Sequence, residues 1–92
     1  MPIITLTGYI DVPIGDLDSL LAELPTHIDR TRAEAGCLDF RVEQDPNEHT
    51  RFTVYEVFAS ETAFALHQQN VKASRWGAVS NNVIRNYRIQ RS

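Results

Sequence analysis

Residues 34–67, EAGCLDFRVEQDPNEHTRFTVYEVFASETAFALH, read as a helix end, a strand, a turn, a second strand and a helix carrying one histidine. Gly36 can take the left-handed conformation that ends a helix. In the first strand Leu38, Phe40 and Val42 alternate with Asp39, Arg41 and Glu43, the period of a half-buried strand. Asp45-Pro46-Asn47-Glu48 is a turn, because Pro46 fixes its own φ and the flanking Asx side chains can bond the local backbone. The second strand, residues 52–58, is aromatic and β-branched apart from Glu56, which shares its parity with Phe52, Val54 and Phe58. Ser60-Glu61-Thr62 then opens a helix with Ala63, Phe64 and His67 on one stripe.

Outward from this stretch the elements continue in both directions. Residues 3–12 alternate as a strand, with Ile4, Leu6, Ile10 and Val12 on one face and Gly8 interrupting it. A glycine there signals a bulge, close approach of another group, or packing against a large neighbour. After Pro13-Ile14-Gly15, Asp16 is an N-cap candidate, and Leu17, Leu20, Leu21, Leu24 and Ile28 take helical spacing. Pro25 inside that pattern predicts a kink or a restart. Residues 70–80 predict a second short helix or a bent extension, and residues 83–89 alternate again with Val83, Arg85, Tyr87 and Ile89 on one face. The order βαββαβ is the ferredoxin-like plan, an α+β fold in which helices cover one face of a four-stranded antiparallel sheet. The uncovered face would carry Tyr9, Tyr55 and Val57, and pairing two sheets in a homodimer would bury it.

Composition narrows the function classes. Ninety-two residues make one domain, residues 1–92. The net charge of −3, with nine scattered basic residues, argues against nucleic acid as a partner. No apolar run approaches the roughly 20 residues of a membrane span, and no signal pattern precedes Pro2, so a cytoplasmic protein is expected. A single cysteine, Cys37, provides neither a disulfide framework nor a multi-cysteine metal site, and is most simply a buried small residue. The histidines at 27, 49 and 67 lack metal-ligand spacing, and no phosphate or dinucleotide loop is present, so no cofactor is expected. His27, beside Asp29, Arg30 and Arg32, is expected to be solvated.

Two residues carry candidate chemistry. His67 is either a core-edge histidine with one satisfied hydrogen bond or a general base, since imidazole is the side chain suited to proton transfer near neutral pH. Glu56 on an apolar parity must be paired or face a wet cavity. Arg85 or Arg41 would be a structural partner, and orienting His67 the functional alternative. Phe40, Phe58, Phe64 and Trp76 would be plain core or the lining of a slot for a flat substrate, with Arg85 at its edge.

The runs EAGCLDFRVEQDP, RFTVYEVF and AFALH, in this order and with the opening strand and Val12-Pro13-Ile14-Gly15, resemble the antibiotic biosynthesis monooxygenase family. The resemblance implies a dimeric α+β barrel of ferredoxin-like subunits. It also implies one of several chemistries. The haem-degrading branch would need an asparagine, a tryptophan and a histidine ligand at positions held here by Gly8, His67 and Gly77. The polyketide branch would need an asparagine, a tryptophan and a tyrosine where Val54, Phe58 and Phe64 stand. The quinol-oxidising and sugar-phosphate-processing branches share a glutamate and a histidine that match Glu56 and His67, although a second histidine is replaced around Val71-Lys72. The resemblance therefore implies cofactor-independent oxidation, by dioxygen, of a quinol-like or phenolic small molecule. His67 would be the base and Glu56 its orienter. The alternatives are a non-redox isomerase or signal-metabolite enzyme, in which Arg41, Arg51 and Arg85 converge on an anionic group, and a ligand-binding dimer without turnover.

Overall fold

The computed structural model describes residues 2–92. The elements are β1 (Ile4–Asp11), a 3-10 turn (Ile14–Asp16), α1 (Leu17–Arg32), β2 (Cys37–Gln44), β3 (Arg51–Phe58), α2 (Glu61–Ala73), α3 (Arg75–Val79) and β4 (Ile84–Arg91). The sheet is antiparallel with strand order β2-β3-β1-β4, the ferredoxin-like arrangement expected from the element order. Asp45 closes the β2–β3 turn, its Oδ1 accepting from Asn47 N at 2.8 Å and Glu48 N at 2.9 Å.

Residues directly opposite on neighbouring strands share a face. One row on the helix side is Phe40, Glu56, Leu6 and Ile89, so Glu56 lies within an otherwise apolar row. The core gathers Ile4, Leu6, Ile10, Phe40, Val42, Phe52, Val54 and Phe58 from this face and Leu20, Phe64 and Trp76 from the helices. Ser60 begins α2 by accepting from Ala63 N at 3.1 Å. Ser74 ends α2 and begins α3, donating to Val71 O and accepting from Gly77 N. That bend places Trp76 against α1.

Four local expectations are corrected. α1 runs unbroken through Pro25. Pro25 is exposed, and Leu21, whose carbonyl loses its partner, is 36% exposed, so water can satisfy that oxygen. Leu38 is 58% exposed, because a register shift between Cys37 and Asp39 removes it from the Phe40 face. Cys37 is only half-buried. Asp16 stands at the N-cap of α1 but makes no capping bond; its carboxylate accepts from Asn82 instead.

At Gly8 the reason for glycine is close approach. The β1–β3 and β1–β4 registers pass through it unbroken, its φ is +147°, and an added Cβ would lie 1.9 Å from the Asn86 carbonyl oxygen of β4. Gly8→Ala must therefore strain β1 or displace β4. The expected loss is about 2 kcal/mol or more, and a melting curve should fall by roughly 10 °C.

The face away from the helices carries Tyr55 and Ile84, 39% and 65% exposed, with Tyr9 and Val57 half-buried. Arginines partly cover the tyrosines: Arg51 lies 3.9 Å over the Tyr9 ring and Arg41 5.8 Å over that of Tyr55. On β4 the residues pointing to the helix side, Arg85, Tyr87 and Ile89, are also exposed.

Candidate functional site

The site assembles from three elements. Glu34 lies in the corner after α1, His67 on α2 and Glu56 at the middle of β3. The corner is held from two sides. Arg32 donates to Phe40 O through Nε and Nη2 at 3.1 and 2.9 Å, tying the end of α1 to β2. Gly36, with φ +86°, turns the chain where an added Cβ would stand 2.5 Å from the Ala63 Cβ of α2. These contacts bring Glu34 beside a residue 33 positions further along the chain.

His67 Nδ1 lies 2.8 Å from Glu34 Oε1. An ionised carboxylate only accepts, so Nδ1 carries the hydrogen. Asn70 donates to the other oxygen, Glu34 Oε2, at 2.9 Å. In the neutral imidazole, Nε2 is then the open acceptor, and it faces Glu56 Oε1 at 3.7 Å. That separation is too long for a hydrogen bond. Glu56 Oε1 is buried with no partner.

The electrostatics follow from burial. Glu56 is 7% exposed. Its carboxyl is pushed up to about 7, first by burial and then by the charge of Glu34. The protonated form is therefore favoured well above the usual carboxylate range, and the carboxyl faces His67 Nε2 across 3.7 Å. Aromatic rings enclose His67, with Phe58 and Phe40 centroids at 4.9 and 5.7 Å. The arrangement is carboxylate, imidazole, carboxyl: one group fixes the tautomer and the other can deliver or take a proton. Sequence reasoning assigned the orienting role to Glu56; in the structure the bonded partner of His67 is Glu34.

His27 departs from expectation. It is 8% exposed, stacked parallel on Trp76 at 4.3 Å and edge-on to Phe40 at 5.3 Å. Burial, then the nearby His67, holds it down to about 3, so it is neutral. Its charged sequence neighbours obscured the signal, which was its spacing: Leu20, His27 and Thr31 form the buried stripe of α1.

A cavity of about 330 Å³ opens between α1 and the α2–α3 bend, its wall including His27, Thr31, Glu34, Asn70, Ser74 and Trp76. It is within the usual size range of small-ligand sites. Glu34 thus meets the cavity while bonding His67 behind it. Of the aromatic residues proposed for a substrate slot, Trp76 lines this cavity. Phe40, Phe58 and Phe64 are buried around His67 and one another. Arg85 lies elsewhere: its Nη2 donates to Ser80 O at 3.3 Å, and it borders a separate hollow with Gln68 and Lys72. The structural partners suggested for Glu56 are likewise elsewhere, since Arg41 pairs with Asp39. Arg51 pairs with Asp11, so Arg41, Arg51 and Arg85 do not converge on one anion site. Among the described residues, no group of three or more His, Cys, Asp or Glu is arranged to hold a metal ion, and no helix is long and apolar enough to cross a membrane.

A family model described as antibiotic biosynthesis monooxygenase matches residues 3–78. The chain belongs to the antibiotic biosynthesis monooxygenase family. That match spans the α1–β2 corner, β3, α2 and the part of α3 that supply Glu34, Glu56, His67 and Trp76. Solved structures agree on the fold. A protein of Pseudomonas aeruginosa is 25% identical with a TM-score of 0.75, covering 99% of this chain and 91% of its own. A protein of Nitrosomonas europaea described as an antibiotic biosynthesis monooxygenase candidate is 16% identical, with a TM-score of 0.69 over 99% of this chain and 88% of its own. A conserved protein of Methanosarcina mazei is 18% identical, with a TM-score of 0.72 over 100% of this chain and 92% of its own. None of the curated proteins matches the sequence.

Proposed function

We propose that this antibiotic biosynthesis monooxygenase family member is a cofactor-independent monooxygenase that oxidises a quinol-like or phenolic small molecule with dioxygen. The observation that carries the reading is the Glu34–His67–Glu56 chain, which begins at the wall of a cavity and ends in the buried core. A hydroxyl bound against Glu34 meets a carboxylate backed by imidazole. The proton passes to the Glu34 carboxylate, which His67 Nδ1–H and Asn70 hold in position, while Glu56 faces the bare Nε2 on the far side of the ring.

The chemistry needs little more. A hydroquinone deprotonated in a water-poor pocket becomes electron-rich enough to reduce dioxygen directly. One oxygen atom bonds to a ring carbon and the other leaves as water. The ring supplies the electrons and becomes a hydroxylated quinone. The protein's share is to remove the proton, hold the anion and keep water out.

The test is dioxygen uptake with a simple hydroquinone, with an anoxic control for product formation. Uptake dependent on both protein and hydroquinone supports the proposal; conversion that proceeds equally without dioxygen points to the non-redox alternative. Glu34→Gln keeps the shape but removes the carboxylate that takes the proton. It should lower turnover by about tenfold to a hundredfold, within the range for acid–base groups, while Asn70→Ala should cost less.

We also propose a homodimer formed through the sheet face bearing Tyr9, Tyr55, Val57 and Ile84. The exposed apolar area there supports it. Light scattering at micromolar concentration should give twice the chain mass, and a single-chain mass would contradict this.

A further inference from the structure

The cavity between α1 and the α2–α3 bend has a charge pattern that extends beyond the proton chain. Glu23, His27 and Glu34 all line it. Glu23 and His27 are four residues apart and therefore on one face of α1, and Glu34 lies just beyond its end. Nine residues of helical rise carry α1 about 14 Å from Glu23 to Arg32, and Glu34 follows in the corner beyond. His27 and its stacked partner Trp76 lie between the two glutamates. The groove thus has a carboxylate at each end and an aromatic pair in the middle.

The inner carboxylate is committed, since Glu34 already accepts from His67 and Asn70. The outer one is not. Glu23 is only 17% exposed, and its partner Arg75, at 3.5 Å, is 77% exposed. Such a solvated guanidinium contributes little and moves easily. The other cation of the wall, Arg30, is exposed at the rim. His27 adds no positive charge, because burial keeps it neutral.

We infer that the ligand of this cavity is a phenol bearing a protonated amine, its hydroxyl at Glu34, its ring beside His27 and Trp76, and its ammonium group at Glu23. Glu23 is then a specificity residue, and Arg75 is displaced when the ligand binds. The inference rests on the phenolic reading above and adds the charge of the substituent.

Trp76 is the only tryptophan in the chain and lines the cavity, so its fluorescence reports occupancy directly. The probes are tyramine, para-ethylphenol and para-hydroxyphenylpropionate, titrated without dioxygen at neutral pH. Tyramine should give a saturable change with affinity at least about tenfold above either analogue, equivalent to one partly desolvated ion pair. Glu23→Gln should bring tyramine to within about twofold of para-ethylphenol and leave para-ethylphenol itself unchanged. Similar binding of all three probes, preference for the propionate through Arg30, or no saturable change in Trp76 would each overturn the inference. Because no turnover occurs, absence of oxidation elsewhere does not affect this result. Equally, a protein that oxidises phenols without preferring the ammonium probe loses only this inference.

Discussion

His67→Ala is expected to lower turnover of a hydroquinone by about 10²–10⁴-fold, the usual loss when a positioned acid–base group is removed. Among the described residues, His67 lies between two carboxyl groups, Glu34 at 2.8 Å and Glu56 at 3.7 Å. Without the ring, Glu34 loses one of its two hydrogen-bond donors and Glu56 loses the acceptor opposite it. His67 is 3% exposed, so the variant also opens a small cavity among Phe40 and Phe58. Circular dichroism and a melting curve should accompany the kinetics. His67→Gln provides the second arm, since it fills most of the space and can still donate to Glu34 but has no basic nitrogen facing Glu56. Both variants should be slow although the glutamine variant remains folded. Activity within about threefold of the parent in a folded His67→Gln would remove the histidine from the reaction.

The second large effect is on stability, through Glu56. Its carboxyl is raised from 4.5 to about 7 in the folded chain. A group with a raised folded-state pKa contributes stability that is complete below the unfolded value and lost as pH rises through the folded one. The chain should therefore lose stability between about pH 4.5 and 7, and at pH 8 the full shift corresponds to about 3 kcal/mol. Glu56→Gln cannot ionise. At pH 8 it should melt roughly 15 °C above the parent, and the difference should vanish near pH 4. His27 acts with the opposite sign. Its folded value of about 3 lies below the ordinary 6.5, so its contribution is present above 6.5 and lost as pH falls toward 3. The two slopes oppose one another between pH 4.5 and 6.5. A melting curve for Glu56→Gln that tracks the parent at every pH would show that the carboxyl is not held in the protonated form.

The contrast between these residues shows what a sequence reveals. Strand alternation, the Asp45-Pro46 turn and the Ser60 cap are local signals, and each element formed where its period indicated. Glu56 was visible because a carboxylate interrupted an apolar parity. Leu38 misled because a bulge is a property of two paired strands, and only the partner register shows it. Pro25 misled because an exposed carbonyl can turn to water, which periodicity does not record. His27 was legible in the stripe of Leu20 and Thr31 but masked by charged neighbours. Glu34 was not legible as a site residue at all. Its role comes from a contact across 33 residues, created by the α1–β2 corner and the packing of α2. Glu23, a polar position of α1 with no signal of its own in the sequence, gains meaning only from the bend at Ser74 that closes the groove.

The proposed hydroxylation of a phenolic ring would use only the chain's own side chains and dioxygen. Mass spectrometry of the product formed from a hydroquinone under isotopically labelled dioxygen tests it most directly. One labelled oxygen atom is expected in the ring product of the parent chain, with the second in water, and far less labelled product is expected with His67→Gln. An unlabelled product, or a labelled one formed equally well by the histidine variant, would contradict it.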